Sequence, residues 1–226
     1  MREIILDIET SGLDYKEGHR IIEIGCVELN QKEVGSHFHR YINPLKTLTD
    51  ENIRIHGITN EFLEDKPLFE EVAEEFLNFI EDSSIIAHNA NFDVGFINHE
   101  LEKISKPQIA KGRIVDTVVI ARNRFPGQQV NLDALVKKLK VNSLVDREFH
   151  GALKDAKILT DVYLELQGIN QMGLQLSERK SEDLKLSGEL NLKPIVITKE
   201  ETEAHKEFIK NNIPNSIWAK IDKNYE

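Results

Sequence analysis

The stretch that most constrains this chain lies at its start, where two acids interrupt an apolar run, Ile4-Ile5-Leu6-Asp7-Ile8-Glu9-Thr10. Side chains alternate across a β-strand, so Asp7 and Glu9 face the same side. Two carboxylates close together in a low dielectric repel each other and raise each other's pKa unless a cation lies between them. Ligands that are all oxygen atoms favour magnesium or manganese. The alternative is an edge strand whose acidic face is solvated.

The composition indicates one α/β domain with an appendage, since 226 residues leave little room for two full domains. The first residues contain no apolar run long enough for a signal peptide or a membrane span. The single cysteine, Cys26, excludes an internal disulfide and fits a reducing compartment. We therefore expect a cytoplasmic protein.

The formal net charge of -10 argues against tight, autonomous binding to nucleic acid, because such affinity comes from Lys and Arg that neutralise phosphates. The charge does not exclude a nuclease, because part of the acid excess would consist of metal ligands. An enzyme of this kind would hold a nucleic-acid substrate weakly and would rely on a partner.

Two β-rich runs, Ile21 to Leu29 and Val34 to Ile42, follow the first strand and predict an antiparallel meander. His37 and His39 share one face of the second run. No third metal ligand lies nearby in the sequence, so we interpret this face as solvated rather than as a metal site.

The segment from residue 43 to residue 168 alternates short strands with amphipathic helices, as in an α/β fold. Residues 49–60 are polar and predict a loop or a short helix. Strands are predicted at 84–88 and 114–115, and helices from about 67 to 80, from 89 onward, from 116 to 125, after Asn131 and after His150-Gly151.

Two further acids occupy positions that suggest a function. Asp93 falls in the first turn of a predicted helix, where the helix dipole is the ordinary explanation for an acid. The strand-to-helix junction before it is also where α/β proteins place ligands. Asp155 falls inside the apolar stripe of its helix, between Ala152 and Leu159. A carboxylate on a buried face needs a partner.

The pattern changes after Gly168, where a polar stretch that includes residues 177–187 is typical of a linker. An acid-rich helix is predicted from about Glu200. Three apolar residues follow it, Ile213, Ile217 and Trp218. A Trp on a short tail is typical of an anchor into a partner.

Three segments resemble, in order, the three motifs of the DEDDh family of 3′–5′ exonucleases: Asp7-Ile8-Glu9-Thr10, His88-Asn89-Ala90-Asn91-Phe92-Asp93, and His150-Gly151-Ala152-Leu153-Lys154-Asp155. The resemblance covers about residues 1–168. Within the family, the segment from Ile55 to Phe62 and two stretches of the tail, Ile197 to His205 and Ser216 to Trp218, are similar to the proofreading subunits of bacterial DNA polymerase III.

The resemblance implies a ribonuclease H-like α/β fold, with a mixed five-stranded sheet flanked by helices and a flexible C-terminal tail. It divides the chain into an exonuclease domain (1–168), a linker (169–193) and a polymerase-binding segment (194–226).

The resemblance also implies two divalent cations, Mg²⁺ or Mn²⁺. Asp7 would bridge both, Glu9 and Asp155 would complete one site, and Asp93 would serve the other. His150 would be the general base, since imidazoles titrate near neutral pH. A loop histidine with no catalytic role is the alternative for His150. The implied substrate-binding residues are Asp7, Glu9, Thr10, Glu51, His56, His88, Phe92 and Asp155.

The implied function is removal of mismatched nucleotides from single-stranded or frayed DNA 3′ ends, with release of nucleoside 5′-monophosphates. The implied partner is the alpha subunit of DNA polymerase III, bound through the tail, with no membrane involved.

The main alternative is an RNA-directed relative such as an oligoribonuclease or a ribonuclease T-like enzyme, which has no need for a linker and an anchor. A non-catalytic replisome scaffold is disfavoured because every acid and the histidine are present. A structural metal domain would need closed coordination by Cys or His.

Overall fold

A computed structural model describes residues 2–141, 150–168 and 198–212. The chain divides into two compact units, Met1–Gln175 and Leu176–Glu226. The predicted linker at 169–193 and the predicted anchor residues Ile213, Ile217 and Trp218 lie outside the described residues.

The first unit is built on a mixed five-stranded sheet with the order β3-β2-β1-β4-β5. β1 pairs antiparallel with β2, and β2 with β3, whereas β4 pairs parallel with both β1 and β5. The predicted fold, an antiparallel meander followed by parallel strands, is therefore confirmed. The strands are β1 (Arg2–Thr10), β2 (Ile21–Asn30), β3 (Glu33–Tyr41), β4 (Ser84–Ala87) and β5 (Ile114–Asp116).

Seven α-helices accompany the sheet in the described part of the first unit. The polar segment 49–60, predicted as a loop or a short helix, contains one of them and the first residue of the next, and each of these two helices begins at a threonine cap. Thr49 Oγ1 accepts from the backbone N of Asn52, and Thr59 Oγ1 accepts from the backbone N of Phe62, both at 3.3 Å. The helices are α1 (Asp50–His56), α2 (Asn60–Glu64), α3 (Phe69–Ile80), α4 (Ala90–Lys103), α5 (Thr117–Arg124), α6 (Leu132–Leu139) and α7 (Ala152–Leu166).

The two faces of β1 bury different layers of the core, because successive side chains point in opposite directions. Leu6 and its even-numbered neighbours pack in one cluster with Phe76 of α3 and Ile97 of α4. Ile5 packs in a second cluster with Leu159 of α7. Alternation therefore places Asp7 and Glu9 on the α7 face of the sheet.

Gly25 of β2 allows α7 to approach the backbone of the sheet. A Cβ atom at this position would lie 2.2 Å from the backbone N of Leu153 and 2.3 Å from the carbonyl carbon of Ala152. Gly25 is also the cross-strand partner of Asp7. The missing side chain therefore brings the first turn of α7, which contains Asp155, next to the strand that carries Asp7.

The described part of the second unit is a single helix, α8 (Lys199–Asn212), which agrees with the acid-rich helix predicted from about Glu200. Its start is a reciprocal cap. The backbone N of Glu201 donates to Thr198 Oγ1 at 3.2 Å, and the backbone N of Thr198 donates to Glu201 Oε2 at 2.9 Å.

Within the described ranges, no helix is both long enough and apolar enough to cross a lipid bilayer.

Candidate active site

Four acids from three elements converge at one end of the sheet. Asp7 and Glu9 lie on β1, and Asp93 and Asp155 lie buried in the first turns of α4 and α7. Burial is the largest cause that raises the pKa of Asp7 well above its ordinary value, and nearby negative charges add to it. In decreasing order of effect, these charges belong to Asp93, Glu9, Asp155 and Glu23. The predicted metal ligands are therefore within electrostatic reach of one another.

Burial is also the largest cause of the raised pKa values of Glu9 and Asp93. Burial, followed by the charges of Glu23, Asp155 and Asp93, raises the pKa of Glu9 to about 8. Burial raises the pKa of Asp93 to about 8, although hydrogen bonds from the backbone of Asp93 itself and of Ile8 oppose the shift. Each carboxyl would bind a proton at neutral pH unless a cation compensated for the repulsion.

The chemistry of these ligands fits a divalent cation. Carboxylates are the oxygen ligands that magnesium and manganese prefer. The charge of a bound cation would offset the burial and the repulsion that raise these pKa values. Glu9, His150 and Asp155 each offer one ligand atom, and the three atoms lie within 4.8 Å of one another.

His150 is fixed by two contacts just before α7. Its Nδ1 lies 2.9 Å from Asp155 Oδ2, and its backbone N donates to Ile55 O at 3.2 Å. Because an ionised carboxylate only accepts hydrogen bonds, Nδ1 is the donor in this pair and Nε2 carries the lone pair. The imidazole side chain is 50% exposed, so a general base at this position can reach a water molecule.

Two predicted substrate-binding residues lie at strand ends. Thr10 ends β1, and its Oγ1 donates to Gly12 O at 2.7 Å, which closes the turn after the strand. His88 follows β4, and its Nδ1 lies 2.9 Å from Thr117 Oγ1 at the start of α5. Burial lowers the pKa of His88, whereas the charge of Asp116 opposes this shift. The contacts of His88 thus join β4 to α5.

The other predicted substrate-binding residues lie on helices. Phe92, in the first turn of α4, packs on Phe96 with 5.0 Å between ring centroids. Glu51 is exposed in the first turn of α1, and His56 is buried at the end of the same helix. His56 Nδ1 accepts from the backbone N of Ile58 at 3.0 Å. Burial lowers the pKa of His56, and the charge of Glu23 opposes the shift.

Glu23 belongs to this site although the sequence analysis did not select it. It is buried on β2, directly opposite Glu9. The signal that could have identified Glu23 is the one that identified Asp7, an acid within an apolar run. His39 lies near it, and the predicted solvated face is only partly exposed at this residue: its side chain is 29% exposed, and its Nε2 contacts Glu23 Oε1 at 2.7 Å. His37 is exposed, as predicted.

Known proteins with related sequences match nearly the whole chain. The profile of the family described as Exonuclease matches residues 4–163. A Rickettsia felis protein named DNA polymerase III subunit epsilon is 48% identical, over 92% of this chain and 96% of its own length. A Haemophilus influenzae protein of the same name is 39% identical, over 97% of this chain and 95% of its own length.

Solved structures agree on the fold. The structure titled exonuclease X in complex with 5′ overhanging duplex DNA is 25% identical with a TM-score of 0.60, covering 74% of this chain and 92% of that one. The nuclease domain of 3′hExo, titled a DEDDh family member bound to rAMP, has a TM-score of 0.64 at 20% identity, covering 75% of this chain and 92% of that one. At that identity the second likeness supports the fold alone.

Proposed function

This chain belongs to the exonuclease family, and we propose that it removes mismatched 3′-terminal nucleotides from DNA as the proofreading epsilon subunit of a bacterial DNA polymerase III. The observation that carries the proposal is the convergence of Asp7, Glu9, Asp93 and Asp155 beside His150. Relatives that match over almost their full length are named as this subunit. Such an enzyme works in the cytoplasm, where the bacterial chromosome is replicated.

The four carboxylates would hold two divalent cations, Mg²⁺ or Mn²⁺. Asp7 would contribute to both cation sites, Glu9 and Asp155 to one of them and Asp93 to the other. Such a pair of cations would supply activation of the attacking water and stabilisation of the departing 3′ oxygen. The carboxylates themselves are held in place before any cation binds, because β1, α4 and α7 are fixed by the core on both faces of the sheet.

His150 would act as the general base. Its Nδ1 is held by Asp155, so Nε2 takes the proton of the attacking water. The water oxygen bonds to phosphorus as the bond between phosphorus and the 3′ oxygen breaks. The departing 3′ oxygen takes up a proton from solvent. The products are a nucleoside 5′-monophosphate and a strand that is shorter by one nucleotide and ends in a new 3′-hydroxyl.

The terminal nucleotide would lie between the end of β1, the first turn of α4 and the end of α1. Thr10, Phe92 and His56 come from these three elements. Glu51 is exposed beside them on α1, and His88 precedes α4. Together with Asp7, Glu9 and Asp155, they form the proposed substrate-binding set.

The C-terminal region would hold the enzyme near its DNA substrate, which the acidic exonuclease domain binds only weakly by itself. We assign residues 1–168 to the exonuclease domain, residues 169–193 to a linker, and residues 194–226 to the segment that binds the alpha subunit of DNA polymerase III. A tether of this kind makes capture of a frayed 3′ end an intramolecular event.

Digestion of matched DNA and RNA oligonucleotides tests the proposal. With Mg²⁺ or Mn²⁺, the purified protein should release nucleoside 5′-monophosphates from the 3′ end of single-stranded DNA faster than from RNA, and Asp155→Asn should release none. Faster digestion of the RNA would favour an oligoribonuclease or ribonuclease T-like enzyme. Absence of cleavage of both substrates would contradict the assignment as a nuclease.

A further inference from the structure

Glu23 occupies the middle position of a row of three side chains across the sheet. It lies opposite Glu9 of β1 on one side and opposite Tyr41 of β3 on the other. Directly opposed residues of antiparallel strands point to the same face, so Glu23 shares the α7 face with the proposed metal ligands. Its side chain is only 4% exposed.

The two oxygens of the Glu23 carboxylate have different surroundings. Oε1 lies 2.7 Å from His39 Nε2. Oε2 is buried and has no hydrogen-bond partner among the residues that the structure describes. A buried polar atom without a partner is costly, and an acid that only filled space would be replaced by an apolar residue at lower cost. The position of Glu23 therefore requires an explanation.

The segment that presents the general base lies close to both oxygens. A Cβ atom at Gly151 would lie 3.8 Å from Glu23 Oε2 and 3.9 Å from Oε1. Gly151 is the N-cap of α7, so the Glu23 charge lies beside the positive end of the dipole of that helix. The preceding residue, His150, is held by Ile55 O through its backbone N. The segment His150-Gly151 is thus in contact with α1 and lies beside the carboxylate of Glu23.

A second unsatisfied atom lies within electrostatic reach of Glu23, whose charge opposes the lowered pKa of His56. His56 follows Ile55, and its Nε2 is buried and also lacks a hydrogen-bond partner in the described parts of the chain. Its Nδ1 accepts from Ile58 N, so in the neutral ring Nε2 carries the hydrogen. A buried donor, His56 Nε2, and a buried acceptor, Glu23 Oε2, are therefore both without a partner among the described residues.

We propose that Glu23 is a positioning residue for His150: anchored by His39, its carboxylate supports the segment His150-Gly151 and keeps the imidazole aligned on Asp155. The inference rests on the proposed function, in which His150 is the general base. Glu23 touches no reacting atom in this scheme. It acts on the rate through the placement of His150 alone.

A double-mutant cycle tests the proposal. Glu23→Ala should lower kcat by about 10²-fold, the scale expected for a small displacement of a catalytic group, and should change KM little. In the His150→Gln background, the same Glu23→Ala change should have almost no further effect on kcat, because the group that Glu23 positions is already absent. Glu23→Gln, which keeps the volume of the side chain, should show a smaller loss with the same dependence on His150.

Glu28→Gln is the matched control. Glu28 lies on the same strand, but it is opposite Ile4, towards the other end of β1, and its carboxylate contacts Arg2 and Ser36, so turnover should not change. The proposal would be overturned if the fold loss in kcat of the double variant equalled the product of the losses of Glu23→Ala and His150→Gln. Normal turnover of Glu23→Ala would also overturn it. If Glu23→Ala does not fold, the Glu23→Gln cycle distinguishes the same outcomes. Cleavage of DNA by the wild type and by Glu28→Gln reports on the proposed function separately.

Discussion

Gly25 of β2 and Leu153 of α7 approach each other so closely that a Cβ atom on Gly25 would lie 2.2 Å from the backbone N of Leu153. No side chain separates the first turn of α7 from the sheet at this point. Since Asp7 is the cross-strand partner of Gly25, this approach sets how near Asp155 comes to Asp7.

Gly25→Ala should therefore impair both the fold and the reaction. The added methyl group overlaps the backbone of α7, and overpacking of this kind costs about 1–3 kcal/mol. The helix must move away from the sheet and take Asp155 and His150 with it. We expect a lower free energy of unfolding in urea and a lower rate of DNA digestion.

Gly112→Ala is the control for this variant. A Cβ atom at Gly112 has no neighbour within 4 Å, so both stability and activity should be unchanged. Normal exonuclease turnover in Gly25→Ala would show that the approach of α7 to the sheet does not set the geometry of the site.

The metal-free protein should lose stability as the pH rises. The folded state raises the pKa of Glu9 from 4.5 to about 8 and that of Asp93 from 3.8 to about 8. The unfolded chain therefore releases these protons first. The stabilisation is fully present below the ordinary pKa values and is lost as the pH rises through about 8. Urea unfolding in the presence of EDTA across this range measures the effect.

Two comparisons isolate the acids of the site. Saturating Mn²⁺ should raise the free energy of unfolding most at high pH, so that this free energy depends less on pH than it does in EDTA. Asp7→Asn should abolish hydrolysis and make the EDTA profile less steep, because one of the repelling charges is gone. A metal-free wild type that loses no more stability with rising pH than Asp7→Asn would contradict this account of the site.

His150→Gln should reduce turnover by about 10²- to 10⁴-fold and should remove the acid limb of the pH–rate profile. The imidazole accepts a proton in the proposed reaction, and an amide cannot replace it. Metal affinity, followed by Mn²⁺ titration, should change little. A variant whose main defect is weak Mn²⁺ binding would make His150 a ligand rather than the base, a role compatible with its place near Glu9 and Asp155.

Removal of the residues after Gly168 should separate catalysis from assembly. The shortened protein should keep full activity on short single strands, because the four acids and His150 all precede the cut. It should no longer co-elute with the polymerase catalytic subunit in gel filtration. Without a tether it loses the roughly millimolar effective concentration that a short flexible linker provides.

Trp218→Ala in the full chain should reproduce much of that loss. Anchoring Trp residues commonly contribute about 2 kcal/mol or more, which corresponds to roughly thirtyfold weaker binding. A truncated protein that still co-elutes with the polymerase at micromolar concentration would show that the globular domain docks directly.

The sequence predicted Asp7, Glu9 and Asp155 because each violates a local pattern, whereas Asp93 was indicated by its place at a strand-to-helix junction. Asp7 interrupts a buried strand, and Asp155 interrupts an apolar helical stripe. The sheet could be predicted from alternation and from the order of strands and helices. Glu23 was missed because the run around it was interpreted only as an apolar strand. The contact of His39 with Glu23 depends on strand register, which the hydrophobic pattern alone did not reveal.

Other features depend on tertiary structure and leave no mark in a single sequence. Nothing around Gly25 indicates that a helix from more than one hundred residues later lies against it. The short helices α1 and α2 are set by their threonine caps, whereas the polar composition of residues 49–60 predicted only a loop or one short helix.

The order of the elements along the chain has a consequence for how the enzyme is made. β1 lies at the centre of the sheet, but its parallel neighbour β4 begins only at Ser84 and α7 only at Ala152. A chain emerging from the ribosome therefore carries Asp7 and Glu9 long before Asp93 and Asp155 exist to complete the cluster. If these acids act as proposed, nascent or prematurely terminated chains that end before α7 would not cut nucleic acid, and hydrolytic activity would arise only when synthesis of the domain is nearly finished.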